Sequence, residues 1–272
     1  MRRAGFAAGT LLTLALATAA PWPAAERIGV GRVFLPLAPV RVYPTLEPPG
    51  TPTALPVRRR TYRPTTAETL ADALSRPEAL VVPAPGTYKL TRPARVAAGV
   101  ALGGKGLVTV TGYGLRLYDA HDADVYDITF RDCKGDCLEV KRSYRVVLAN
   151  LDVSHASDGL LDISGGSTVS VLDTRFHDNV RGLLCGNWQK PNDGREKLVL
   201  DRVTFERVNV RTPKAQDCDV VARDLVVLEA REWPVDARGS SIVILNGFRW
   251  EGMKINPPGW RTEGAAVVRV LE

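Results

Sequence analysis

Residues Val146 to Phe176 read VVLANLDVSHASDGLLDISGGSTVSVLDTRF, and from Val146 onward each coil length carries two short β runs: VVLANLDV with GLLDI, then VSVLDTRF with GLLCG. No helical period fits between the runs, and Asn, Asp, Ser and Gly part them. The pattern extends outward at a nearly fixed spacing. Runs begin at Val125, Val146, Val169, Leu198, Val220 and Ile242, at intervals of 21, 23, 29, 22 and 22 residues. A bulky residue closes each run, at Phe130, Val153, Phe176, Phe205, Val227 and Phe248. The one long interval holds a polar insertion, Asn187 to Glu196 (NWQKPNDGRE). A repeat of this length predicts a solenoid whose turns stack on one another. The absence of an LxxLxLxxN pattern excludes a leucine-rich horseshoe, and a β-sandwich gives no reason for a constant coil length. The expected fold is therefore all-β, a right-handed single-stranded parallel β-helix. Its coils lie about 4.8 Å apart, inward apolar side chains stack in columns, and Gly103-Gly104 and Gly165-Gly166 serve as corners.

The rest of the chain is consistent with one sizeable core. Of 272 residues, 45% are hydrophobic and 24% charged, which excludes a disordered chain, and neither Gly-X-Y nor a sustained heptad occurs. The formal charge of +6 suits nucleic acid, an anionic membrane or an acidic polysaccharide and does not choose among them. Met1-Arg2-Arg3, the uncharged Ala4 to Ala20 and the small residues up to Ala25 read as a signal peptide over 1–25, leaving a mature charge of +4 and no later segment able to span a bilayer. Secretion permits disulfides among Cys133, Cys137, Cys185 and Cys218, whose three possible pairings stay open. A zinc site is not expected, because His121, His155 and His177 have no partner at ligand spacing. Eight prolines between Pro36 and Pro64 make 26–64 an extended lead or linker. Thr66 to Leu74 is the one convincing helix, capped by Thr66 with Thr69 or Thr65 with Glu68, and the β-helix domain is taken as 65–272.

The chemistry concentrates in the middle coils. Ser157-Asp158-Gly159-Leu160-Leu161-Asp162-Ile163 carries two carboxylates at i and i+4, which a strand points to the same side, away from Leu161 and Ile163. Aligning Val140 of the preceding coil with Ile163 stacks Glu139 over Asp162 and brings Asp136 near. Like charges so close need a cation, a basic neighbour or raised pKa values, and an oxygen-only ligand set suits Ca²⁺. Arg181-Gly182-Leu183-Leu184 repeats the xGLL pattern with Arg181 in the place of Asp158, and Arg211 follows one coil later. Arginines beside a cation site are good partners for a carboxylate-bearing ligand.

These residues resemble the pectate lyases of polysaccharide lyase family 1, over about Pro77 to Ala237. DGLLDI at Asp158 to Ile163, followed by a strand ending in Phe176, carries the resemblance. Gly135-Asp136-Cys137-Leu138 is similar to the family's GDAI segment and Arg211-Thr212-Pro213 to its R-x-P segment. The resemblance implies β-elimination on polygalacturonate, with Asp136, Asp158 and Asp162 holding Ca²⁺. It makes Arg211 the catalytic base and places Arg181 and Gln216 at substrate-binding positions; Lys214, three residues from Arg211, is taken as a further substrate contact on its charge and place. The departures are Ala149-Asn150 for the family's Asp-His, Gln216 where a second substrate-binding Arg stands, and Lys134 where some members have another calcium ligand. A secreted monomer acting on an acidic polysaccharide is expected, with no nucleic-acid partner and no membrane association after cleavage. The rival of another class is a non-catalytic β-helix that binds acidic glycan. A calcium-independent pectin lyase is disfavoured by the three aspartates, and a polygalacturonase by the lack of an Asn-Thr-Asp or Asp-Asp pair.

Overall fold

A computed structural model describes residues 60–186, 196–252 and 259–271. The region read as a signal peptide, nearly all of the proline-rich lead, and the insertion from Asn187 up to residue 195 lie outside the described residues. The first strand, Arg60–Tyr62, already pairs in parallel with Ala79–Val81, so the solenoid takes in the last residues of the stretch read as a lead.

Every pairing among the described strands is parallel, and together they build three columns. The first column includes Ala79–Val81, Val146–Ala149, Thr168–Leu172, Lys197–Asp201, Asp219–Arg223, Ile242–Asn246 and Val267–Leu271. The second includes Gly86–Lys89, Asp152–Ser154, Thr204–Val210, Val226–Leu228 and Arg249–Glu251. The third runs through Ala94–Arg95, Leu115–Tyr118, Leu138–Lys141, Gly159–Ser164, Lys214–Gln216, Val235–Gly239 and Trp260–Gly264. Long strands such as Ala101–Gly112 and Arg175–Cys185 bend round a corner and serve two columns. This is the right-handed parallel β-helix that the spacing predicts.

The closing residues stack as expected through five coils: Phe130, Val153, Phe176, Phe205 and Val227 lie in register and are fully buried. Phe176 and Phe205 stack with centroids 5.1 Å apart. The column ends on Trp250, not Phe248, and Val220 pairs with Val243, not Ile242. At the other end Val125 lies opposite Leu148, two residues beyond Val146. Apolar residues at both ends of a run leave its register open by two on the same face, and Ile242 misses by one because it points away from the core that Val243 enters, so the run start is a weaker marker than the inward residue.

Corners carry residues in the left-handed region. Asp127, Asn150, Asp173, Arg202 and Asp224 all have positive φ, and side chains among them bond along the stack, with Asn150 Nδ2 donating to Asp127 Oδ1 at 2.6 Å and Arg202 reaching Asp173. Polar bonds between coils offset what that conformation costs a residue with a Cβ. Gly165 and Gly166 turn a corner with φ of 69° and 74°. Gly103-Gly104 stands where the strand Ala101–Gly112 leaves the first column for the second, but the positive φ of that corner falls on Lys105 and Gly106, and a Cβ at Gly103 would come 2.4 Å from the Tyr126 ring. Close approach, not a turn, demands glycine there.

The helix Ala67–Leu74 covers the first coil. Thr66 and Thr69 form a reciprocal capping box, and Leu70, Ala73 and Leu74 are buried against the opening strands. The pairing Cys133–Cys137 closes a small loop ahead of Leu138–Lys141, and Cys185–Cys218 ties the end of one third-column strand to the next coil.

Candidate functional site

The third column carries the charged residues outward. Leu138 and Val140, and Leu161 and Ile163, are fully buried, so Glu139 and Asp162 between them face out. Register then sets one outward row: Arg95, Arg116, Glu139, Asp162, Leu184, Lys214, Asp236 and Arg261. The row is acidic at its centre and basic at both ends.

Asp136 joins this row from the loop that the Cys133–Cys137 disulfide closes. Its Oδ1 accepts a hydrogen bond of 2.7 Å from the Gly159 N–H. A Cβ at Gly159 would lie 2.6 Å from that oxygen, which is why a glycine precedes the two leucines of DGLLDI. Glu139 is ion-paired to Arg116 at 3.2 Å, and burial followed by Glu139 itself raises the Tyr118 phenol.

The carboxylates strain against each other. Burial raises Asp136 to about 6; the Gly159 N–H opposes that, Asp158 and Glu139 add to it, and Arg211 lowers it. Burial raises Asp162 to about 7, with Asp136 and Glu139 next and Arg211 opposing. Asp136, Asp158, Glu139, Asp162 and Arg211 therefore share one electrostatic neighbourhood.

Two register details differ from the sequence expectation. Arg181 lies opposite Gly159, not Asp158, because Leu161 pairs with Leu183 and shifts the xGLL repeat by one residue. Keeping the inward leucines in line outweighs matching the motif. Asp158 stands ahead of the strand Gly159–Ser164, on the turn, and its carboxylate is ion-paired to Arg181. The two arginines still reach the site. Arg211 adopts φ 64°, and its carbonyl accepts a bond of 2.7 Å from the Leu183 N–H. A Cβ at Gly182 would meet that carbonyl at 2.4 Å, so the second xGL glycine admits the Arg211 backbone. Among the described residues, neither the Arg211 guanidinium nor the Lys214 ammonium has a hydrogen bond or an ion pair. Burial lowers the Lys214 pKa, with Arg238 next and Asp236 opposing. Gln216 faces outward on the same strand, opposite Arg238 of the next coil.

Asp136, Asp158 and Asp162 supply oxygen donors of the kind a hard divalent cation takes, and the raised carboxyls mark negative charge that no basic side chain fully compensates. Among the described residues no three His, Cys, Asp or Glu side chains are already drawn together as a metal cage. Asp136 and Asp158 each have an oxygen engaged by protein donors, which leaves Asp162 as the freest donor. The set fits Ca²⁺ in chemistry, and binding would draw Asp158 partly away from Arg181.

Sequence reading missed Asp236, Arg238 and Arg261. The signal was present, since one coil length of 22 beyond Lys214 is Asp236 and beyond Gln216 is Arg238.

Parallel strands coiled in three columns in this way are the pectate lyase-like parallel β-helix fold. A pectate lyase from Bacillus sp. N165 in complex with trigalacturonate superposes with a TM-score of 0.61 at 14% identity, over 77% of this chain and 82% of that one. The major allergen from cedar pollen gives 0.60 at 15% identity over 78% and 79%. Pectate lyase II from Xanthomonas campestris gives 0.51 at 14% over 78% and 80%. No family model matches the sequence, and neither does any curated protein. Among the described residues no helix is long and apolar enough to cross a membrane.

Proposed function

We propose that this protein is a secreted, Ca²⁺-dependent pectate lyase that cleaves de-esterified 1,4-linked galacturonan by β-elimination. The observation that carries the reading is the meeting of Asp136 and Asp162, raised to about 6 and about 7, with Asp158 and Arg211 on one outer face. The likeness to a pectate lyase in complex with trigalacturonate supports the substrate class, and two disulfides suit an oxidising compartment.

The proton on C5 of a uronate is poorly acidic, because it lies α to a carboxylate. Asp136, Asp158 and Asp162 would hold Ca²⁺ against that carboxylate, where the ion would stabilise charge developing on it. Arg211 takes the C5 proton; the C5–H electrons form the C4–C5 double bond, the C4–O bond breaks, the leaving oxygen takes a proton from water, and Arg211 returns its own proton to the hydroxide so formed. The products are a 4,5-unsaturated uronide and a fragment with a new reducing end. Proton abstraction by a guanidine needs its unprotonated form, so turnover should rise towards alkaline pH. Arg181, now on Asp158, would be released to a substrate carboxylate when the aspartate turns to the metal, and Lys214 and Gln216 line the way along the column.

The test is ultraviolet absorbance of the unsaturated product when the mature protein meets polygalacturonate and Ca²⁺. Absorbance should rise, more steeply at pH 9 than at pH 6, and a chelator should abolish it. Arg211→Lys should cut turnover by about 10²-fold or more while calcium binding persists. A flat trace from pH 7 to 11 with polymer binding intact would leave the second reading, a non-catalytic acidic-glycan module. The engagement of Asp158 by Arg181 favours that reading in the metal-free state.

A further inference from the structure

Beyond Arg211 the third column carries more positive charge than the proposed elimination uses. Asp236 is almost wholly buried, at 5% exposure, and two guanidinium groups converge on it. Arg261 donates from Nε to Oδ1 at 3.1 Å and from Nη2 to Oδ2 at 2.6 Å. Arg238, two residues along the same strand as Asp236, places Nε 3.1 Å from both oxygens. Its Nη1 also reaches Glu263, a largely exposed side chain, at 3.0 Å. One rung back, directly opposite Asp236, stands Lys214 with no bonded partner among the described residues. Lys214 faces Arg211, Arg238 and Arg261 and is itself half-buried.

A buried carboxylate binding two arginines uses up one charge and fixes two forks. Fixed guanidinium planes lose less rotamer freedom on meeting a carboxylate than free ones would. The half-buried Lys214 ammonium, one rung before Asp236, has three arginines and one carboxylate about it, and an incoming anion offsets the repulsion. The site lies on the same outward row as Asp162, three rungs further on at about 4.8 Å per rung, so a linear chain laid along the row would reach it.

We propose that Lys214, Arg238 and Arg261, with Asp236 as the positioning residue, form a carboxylate-binding subsite for a distal uronate of an acidic polysaccharide. Arg238 stands one rung beyond the uncharged Gln216, beside the outward row that carries Lys214 and Arg261. The inference rests on the proposed substrate class but not on catalysis.

The experiment titrates trigalacturonate into the mature protein by calorimetry at pH 8 in a chelator, then repeats it with Arg238→Gln/Arg261→Gln and with Asp236→Asn. Wild type should bind, and the double variant should lose about 10- to 100-fold in affinity, the range for a charge-assisted carboxylate contact. Asp236→Asn should lose affinity less steeply. Where turnover is measurable it should raise KM with kcat little changed, a split that a merely structural role would not give. Arg202→Gln, at a corner on another part of the coil, is the control and should bind as wild type does. Equal affinity in wild type and the double variant, or no binding by wild type, overturns the subsite. Binding that depends on Arg238 and Arg261, with no turnover of polygalacturonate when Ca²⁺ is supplied, upholds the subsite and overturns the lyase reading.

Discussion

Replacing Asp162 with asparagine removes a single negative charge from the centre of the outward row while keeping the side chain's size. Lifting a carboxyl from 3.8 to about 7 corresponds to roughly 4 kcal/mol against the anion in the folded state. The sign follows from the raised value. Below about pH 4 the carboxyl is protonated folded and unfolded, and it costs nothing. As pH climbs towards 7 the unfolded chain releases its proton first, so the metal-free protein loses stability, and above 7 the full cost applies. The amide carries no such cost. It also relieves Asp136, which Asp162 helps to raise, though local relaxation brings the expected gain down to about 2 kcal/mol. For a domain of this size that is a rise in Tm of about 4–8 °C at pH 8 in a chelator, shrinking to about 2–3 °C at pH 5 and vanishing below about pH 4. Calcium reverses the order. At one hundred times its Kd the ion would stabilise wild type by about 2.7 kcal/mol, and the variant should gain little. Thermal unfolding followed by circular dichroism at pH 5 and pH 8, with chelator and with Ca²⁺, reads all four conditions. If the variant melts lower than wild type at pH 8 in chelator, the strained anion is mistaken; if calcium raises both proteins equally, the metal assignment is mistaken.

Gly182→Ala pushes a Cβ to 2.4 Å from the Arg211 carbonyl, so we expect a loss of about 1–3 kcal/mol in denaturant unfolding and a fall in turnover larger than the stability change explains. Cys133→Ser/Cys137→Ser opens the loop that holds Asp136; chain entropy sets the loss at about 2 kcal/mol, and calcium affinity measured by calorimetry should fall with it. Phe176→Ala, in the middle of the inward column, should cost about 3–5 kcal/mol by chemical denaturation while leaving the register of the outward row, and so the calcium-dependent rise in Tm, in place.

The fold was legible because a coil length is a strong constraint. Inward residues such as Phe130, Phe176 and Phe205 must stack whatever the corners do, so their spacing survives in the sequence even across the insertion after residue 186. Glu139 over Asp162 was legible for the same reason, since Val140 and Ile163 fix the register between them. The motif itself was a poorer guide: aligning RGLL on DGLL misplaced Arg181 by one residue, because two successive leucines at 160 and 161 are both fully buried and only one continues the inward column. The pairing of cysteines was not legible, because either pattern of local or long closure is compatible with the spacing.

The residues that escaped sequence reading share a cause. Asp236, Arg238 and Arg261 lie in no recognisable motif, and each taken alone is an ordinary surface charge. They gain meaning only when the coil length carries Lys214 onto Asp236 and Gln216 onto Arg238. In a solenoid the unit of function is a column, drawn from positions about 22 residues apart, so a site can be complete in space while no stretch of the chain announces it. The same geometry separates the two charges that an acidic polymer needs. A row that is acidic at Glu139 and Asp162 and basic at Lys214 and Arg261 can take a cation and an anion from one extended ligand at once, which a uniformly basic face cannot do.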